Sequence, residues 1–357
     1  MEIRAWTVRS TDAPMALETR TETPAGGEVI VQVAGCGVCH TDLGFVYENV
    51  PTRHPLPLTL GHEISGRVVA AGAGAERWMG RNVIVPAVIP CGECDACRAG
   101  KSSICPRQIF PGNDVHGGFA THVRVPSRGL CPVPDLDDAR RNPERLDLAS
   151  LSVIADAVTT PYQAIERSGL ARGDVAVFVG VGGVGGFGVQ IAAARGAHVV
   201  AVDVDTQKLL AMKEHGAHLT LNSRELEFKS LKKQLQAFCA EHHAPSWRTM
   251  VFETSGTPAG QETAFGLLGH GGLLSVVGYT PQKVSLRLSN LMALDATAQG
   301  NWGCAPELYP PALDLVLSGR VRVAPFVEQR PLSSINRTFA EIHDRRVSRR
   351  VVLVPET

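Results

Sequence analysis

The chain has no run of about 18 apolar residues, the length a helix needs to cross a bilayer. It also has no excess of either charge, because 35 Lys and Arg face 35 Asp and Glu. Binders of nucleic acid or of membrane surfaces draw affinity from a basic surplus, so this balance argues against both partners. Aromatic residues are only 5% of the chain, and no Arg/Lys–aromatic face interrupts it. That scarcity weighs against a zinc-ribbon module that binds nucleic acid. The opening stretch EIRAWTVRS has no apolar core of a signal peptide, which gives the expectation of a soluble, cytoplasmic protein. No repeat of 20–50 residues and no low-complexity linker appears.

What remains is ordinary globular composition, 44% hydrophobic and 20% charged over 357 residues. At roughly 150 residues per domain this length suggests two domains. Up to about residue 155, short β-type runs such as GEVIVQVAGCG, ISGRVVAAGAG and GRNVIVPAV alternate with Pro and Gly. Turn signals this frequent suggest a β-rich, barrel-like module. From about residue 157 strands and helices alternate: DVAVFV, a glycine loop, the helix FGVQIAAARGA, the strand HVVAVDVD, and further units of the same kind. Repeated β–α units predict a doubly wound parallel sheet, hence an α/β fold. Beyond residue 297 come a helical PPALDLVLSGRV and a final strand RRVVLVP, which could form a third unit or rejoin the first.

Nine cysteines are the one abundance that needs a reason. Cys91, Cys94, Cys97 and Cys105 crowd into a short stretch with spacing x2, x2 and x7. In a chain without an export signal such clustering favours metal over cystine. Four thiolates at these spacings can close a structural tetrahedral zinc site. An iron–sulfur cluster also takes four cysteines, but the x7 spacing departs from the ferredoxin run. Cys36, Cys131, Cys239 and Cys304 read as buried small hydrophobes. His116 and His122 have ligand-like spacing and read as surface or hydrogen-bonded histidines.

A second motif, Gly180-Val181-Gly182-Gly183-Val184-Gly185, has glycines at the GxGxxG positions between a strand and a helix. Gly180 permits the tight turn, Gly182 lets backbone approach a pyrophosphate, and Gly185 lets helix and strand pack closely. The helix N-terminus adds free N–H groups for the phosphates. Asp203 ends the next strand, where its carboxylate can bond both adenosine-ribose hydroxyls and would repel a 2′-phosphate. NAD is therefore expected over NADP.

A third constellation is dispersed: Cys39-His40-Thr41-Asp42, then Gly61-His62-Glu63, then Asp156. One thiolate, one imidazole and one carboxylate suit a catalytic zinc that keeps an open position. Spacing alone leaves this set weak, since a single His among 12 is more often structural.

Taken together, GCGVCHTD, LGHEISGRVV, the four-cysteine lobe, GVGGVGGFGVQIA and VVAVDVD resemble the zinc-dependent medium-chain alcohol dehydrogenase family over essentially the whole chain. The resemblance implies a GroES-like catalytic domain (1–156 and 297–357, with the zinc lobe at 91–105) and an inserted Rossmann NAD-binding domain (157–296). It implies NAD and two zinc ions per subunit. Cys39, His62 and Asp156 would hold the catalytic zinc, and Glu63 would be a neighbouring carboxylate able to approach it. Asp42 would orient the imidazole, and Thr41 would accept the substrate proton. His40 would contact the cofactor pyrophosphate, Thr160 and Val184 the nicotinamide, and Lys208 the ribose beside Asp203, with Gly183 in the phosphate loop.

One departure is Gly44, where many relatives carry a His that completes the proton path; cofactor ribose and solvent remain as exits. The segments FVYENVPTRHPLPLTLGHE and ADAVTTPYQAIERSGL are similar to the branch acting on an alicyclic hydroxyl of a coenzyme A thioester. Small Ala87 could leave room for such a substrate, while the arginines at 345–350 read as solvated surface. Tyr279, Asn301 and Trp302 follow strand ends as candidate cleft residues. The expected partners are a small-molecule substrate and further copies of the chain, as a homotetramer or homodimer. A general alcohol or polyol dehydrogenase is the alternative. A zinc-free enone reductase would have no use for the Cys39, His62 and Asp156 set.

Overall fold

The computed structural model describes residues 1–11 and 13–356. Its contacts divide the chain into two units, Met1–Thr159 with Gly303–Thr357, and Thr160–Trp302.

The first unit is built on strand Glu28–Gly37, whose Val- and Ile-rich run is buried along most of its length. That strand pairs antiparallel with Glu63–Ala71 and with His122–Pro126. Glu63–Ala71 continues to Asn82–Val85 and then to the short Cys131–Pro132. On the opposite side the final strand Arg350–Val354 pairs antiparallel at Val352↔Gly37 and Leu353↔Cys36, and parallel with Val327–Pro331. The chain's last residues therefore rejoin the β-rich unit. Its core includes Val31, Leu58, Ile64, Val85, Phe119, Val123, Phe339 and Leu353. A separate hairpin pairs Glu2–Thr7 with Ala16–Thr21.

The second unit is a six-stranded parallel sheet. Its spatial order is Leu219–Asn222, His198–Asp203, Val175–Val179, Thr249–Glu253, Leu273–Val276 and Thr297–Gly300. In chain order this is 3-2-1-4-5-6, the dinucleotide-binding arrangement, with its switch point at Val175–Val179. Both central strands are buried throughout, as strands covered on two faces must be. Phe178 and Phe252 stack across them with centroids 4.7 Å apart. Helix Phe228–Glu241 docks through Leu231, Leu235 and Phe238.

The sequence boundary at 296 falls short. Thr297–Gly300 pairs with Leu273–Val276 as the sixth strand, so the second unit runs to Trp302. Pairing partners decide this boundary, and no local composition change marks it. Among the described residues no helix is long and apolar enough to cross a membrane.

Candidate active site and metal centres

The four-cysteine lobe is a chain of tight turns: the one-turn helix Asp95–Arg98 and the 3-10 turn Ser102–Ile104 fold the loop back on itself. Sulfur separations are 3.4 Å for Cys94–Cys97, 3.7 Å for Cys94–Cys105 and 3.9 Å for Cys91–Cys97. A tetrahedron of Zn–S bonds near 2.3 Å requires about 3.8 Å between sulfurs, so the donor set fits zinc. Backbone N–H groups of Cys91 and Arg107 donate to Cys105 Sγ, each at 3.3 Å. The backbone beside Glu93 pulls the Cys91 thiol down to about 6, whereas burial and the Cys94 sulfur push Cys97 up to about 12. Four sulfurs this close cannot all ionise without a cation among them.

The dispersed set also converges. One donor atom each from Cys39, His62, Glu63 and Asp156 lies within 4.8 Å of every other. Cys39 Sγ is 3.6 Å and His62 Nε2 3.7 Å from Asp156 Oδ2, separations suited to one tetrahedral ion. Thr41 Oγ1 lies 3.7 Å from Cys39 Sγ. Cys39 caps helix His40–Tyr47, and His40 is exposed at its first position.

Asp42 is fully buried and ties the elements together. Its Oδ2 accepts from Cys39 N at 3.0 Å and its Oδ1 from Gly61 N at 3.2 Å. The same Oδ1 lies 3.4 Å from His62 Nδ1, leaving Nε2 turned toward Asp156. His62 Nδ1 is buried and makes no well-aligned hydrogen bond. Burial disfavours the imidazolium, but Asp42, Asp156 and Cys39 outweigh it and raise His62 well above its usual value. The cluster is thus an anionic cup that draws in positive charge.

Glu63 is entirely buried, and Arg350 grips it with both Nε, at 2.7 Å, and Nη2. Burial pushes the Glu63 carboxyl up, with Arg350 pulling the other way. Gly37 leaves room for the pair: a Cβ there would lie 2.0 Å from Glu63 Oε2. This corrects the reading of 345–350 as solvated surface at Arg350 alone, whose side chain is only 7% exposed, while Arg345, Arg346 and Arg349 are exposed as expected. Nothing local separates Arg350 from its neighbours; only its place in the final strand aims it inward.

Ala87 is buried, and its N–H donates to Tyr309 Oη at 3.1 Å. Tyr309 is a residue the sequence reading missed, one tyrosine among four with no marking motif. Cys36, Cys131 and Cys304 are buried as expected, while Cys239 is only half-buried. His116 accepts from Thr59 N at 3.2 Å and lies apart from both clusters.

In the second unit, Gly180 turns the chain after the first strand at φ +89°. A Cβ at Gly185 would strike Gly180 O at 1.9 Å, while nothing lies within 4 Å of one at Gly182. That open face above a helix N-terminus fits a diphosphate. Gly183 and Val184 complete the turn, and Gly185 starts helix Gly185–Ala194. Asp203 Oδ2 accepts from Val181 N at 2.8 Å and Oδ1 from Asp205 N at 3.0 Å, so this acid also clamps the loop. Lys208 lies in the first turn of helix Thr206–Glu214, whose N-cap is Asp205. Thr160 is buried near the start of helix Thr159–Ser168, and its carbonyl accepts from Asn301 Nδ2 at 3.1 Å. Asn301 also bonds Gln163 at 3.2 Å, whereas Tyr279 and Trp302 are exposed.

Comparison with known proteins agrees with this architecture. Residues 25–135 match the alcohol dehydrogenase GroES-like domain, and residues 183–318 match the zinc-binding dehydrogenase family. An alcohol dehydrogenase of Geobacillus stearothermophilus is 31% identical over 330 residues, covering 92% of this chain and 91% of that protein. The crystal structure of the alcohol dehydrogenase from Aeropyrum pernix superposes with a TM-score of 0.85 at 29% identity, covering 99% and 100% of the two chains. Galactitol-1-phosphate dehydrogenase from Escherichia coli gives 0.85 at 25% identity, over 99% and 100%.

A β-rich unit with two metal clusters and a parallel sheet with a dinucleotide loop define a metal-dependent oxidoreductase. The chain belongs to the zinc-dependent medium-chain alcohol dehydrogenase family and is an NAD(P)-dependent enzyme.

Proposed function

We propose that the protein oxidises a secondary, alicyclic alcohol with NAD, with 6-hydroxycyclohex-1-ene-1-carbonyl-CoA as substrate and the 6-oxo compound as product. The observation that carries the chemistry is the meeting of Cys39 Sγ, His62 Nε2 and Asp156 Oδ2 in a chain with a dinucleotide loop. When bound, zinc supplies a Lewis acid for the alcohol oxygen and the dinucleotide supplies the hydride acceptor. Cys39, His62 and Asp156 hold the metal, with thiolate and carboxylate balancing its charge. Asp42 fixes the imidazole tautomer from behind, as carboxylates do for metal-bound histidines. Thr41 Oγ1, beside the cluster, accepts the substrate hydroxyl's hydrogen bond and passes its own proton on toward cofactor ribose or solvent as it receives the substrate's. Arg350 holds the Glu63 charge in place next to the metal site. His40, Thr160, Val184 and Lys208 are the proposed cofactor contacts. The Asp203 carboxylate disfavours a 2′-phosphate, which supports NAD over NADP.

The alicyclic substrate rests on the similarity of FVYENVPTRHPLPLTLGHE and ADAVTTPYQAIERSGL to that branch of the family. The first of these segments also borders a cavity of about 290 Å³ lined by Val8, Phe45, Val50, Leu56 and Leu60. The second reading, a general alcohol or polyol dehydrogenase, is supported by the likeness to galactitol-1-phosphate dehydrogenase. A homo-oligomer, tetramer or dimer, is supported by the exposed last strand Thr297–Gly300 and by exposed Leu288 and Met292, which precede it in the chain. Nine unpaired cysteines support a reducing, cytoplasmic setting.

The test is NADH formation from NAD across hydroxyacyl-CoA thioesters, free cyclic alcohols, linear alcohols and polyols. Turnover confined to the alicyclic thioester supports the proposal. Preference for polyols or free alcohols moves the protein to the second reading. No turnover with any alcohol by zinc-replete protein overturns both.

A further inference from the structure

Neither metal cluster uses the segment around Pro306–Leu308, yet that segment touches the surroundings of both. On one side Ser102 Oγ donates to Glu307 Oε2 at 2.9 Å. Ser102 is buried inside the cysteine lobe, and its carbonyl accepts the N–H of Cys105 at 3.1 Å. On the other side, two residues along, Tyr309 is completely buried and donates its hydroxyl to Ala155 O at 2.5 Å. That carbonyl belongs to the peptide plane shared with Asp156, which leaves the turn Ser150–Ala155 at φ −142°, ψ −58°. The same hydroxyl accepts from Ala87 N at 3.1 Å.

Tyr309 is itself immobilised. It opens helix Tyr309–Leu317, whose Ala312, Leu313 and Val316 are buried. Burial holds the phenol well above its usual value, so it stays a donor at any working pH. A fixed donor on a peptide plane limits how far the next side chain can swing, and metal affinity is sensitive to such outer supports.

We propose that Pro306–Tyr309 is a positioning strut: Tyr309 sets the peptide plane of Asp156, and Glu307 couples that setting to the cysteine lobe. Metal affinity at the catalytic cluster then depends on residues that touch no metal. This inference rests on Asp156 being a metal ligand, as proposed above.

The test is cobalt(II) titration of the metal-stripped full chain, because cobalt's visible bands differ between a four-sulfur site and a mixed sulfur, nitrogen and oxygen site. Tyr309→Phe keeps the ring and removes the hydroxyl. The expected result is about tenfold weaker cobalt binding at the mixed site with an altered band, while the four-sulfur band and NADH binding stay as in wild type. Ser102→Ala should weaken the same site by a smaller factor, and the double variant should lose less than the product of the two. Unchanged affinity and spectrum in Tyr309→Phe overturn the strut. Parallel loss at both sites and of NADH binding also overturns it, in favour of a folding role. If Tyr309→Phe does not fold, unchanged mixed-site affinity in Ser102→Ala overturns the coupling. A wild-type titration with only one cobalt site would instead defeat the ligand reading itself.

Discussion

Cys91, Cys94, Cys97 and Cys105 come from one short loop, whereas Cys39, the adjacent His62 and Glu63, and Asp156 come from three distant stretches, with Glu63 paired to Arg350 of the final strand. In the loop, closure spans few residues and costs little chain entropy. The lobe has little core of its own, so metal supplies much of its order. In the dispersed cluster the protein does the ordering: Asp42 joins Cys39 to Gly61, and Tyr309 holds the peptide before Asp156. A contiguous site therefore trades rigidity for simplicity. A dispersed one can hold reactive geometry with a ligand position left open.

The sharpest break between the two clusters is functional. His62→Ala should lower kcat/KM at least about 1,000-fold, roughly the several kcal/mol a metal Lewis acid contributes. NADH binding, measured by fluorescence, should persist because the dinucleotide loop lies in the other unit. Full activity in metal-verified His62→Ala protein would defeat the assignment.

The buried ion pair gives the next largest effect. Arg350→Met leaves Glu63 as an uncompensated buried charge, which should cost about 3–5 kcal/mol in denaturant unfolding. Adding Glu63→Gln should recover most of that loss. A single variant as stable as wild type would show that the dispersed cluster is not held in this way.

In the lobe, Cys97→Ser should reduce zinc from two ions per chain to one by elemental analysis and cost about 1–3 kcal/mol. Turnover should fall far less than in His62→Ala. A collapse of equal size would erase the distinction between the clusters.

The smallest effect is the pH dependence that His116 contributes from outside both clusters. Burial and nearby Arg20 hold His116 down to about 4, and its ring accepts the N–H of Thr59 on the loop that leads to His62. The unfolded chain binds this proton near its ordinary value of about 6.5. Stability is therefore fully present above that pH and drains away as pH falls toward 4. Urea midpoints should drop across that window, and His116→Gln should flatten the slope. An identical slope in the variant would remove His116 as the cause.

Much of the fold is legible from local pattern. Buried runs such as Val175–Val179, the glycine turn at Gly180 and the helix after it follow from near-neighbour sterics and periodicity. The four cysteines declare a metal by spacing alone. The dispersed ligands were readable only through family resemblance, because no spacing rule joins Cys39 to Asp156. Arg350 was hidden in an arginine run, and Tyr309 carried no signal at all. The strand at 297 was assigned to the wrong unit because its partner, Leu273–Val276, decides its membership.

The sequence by itself determined what depends on neighbours in the chain: strands and helices, the phosphate loop and the cysteine lobe. Tertiary structure alone decided which distant groups meet: Arg350 on Glu63, Asp42 behind His62, Tyr309 beneath Asp156. The physical reason is range. Backbone sterics and short-loop closure act over a few residues, whereas pairing of buried charge and of buried polar groups is settled only when separate strands are brought side by side.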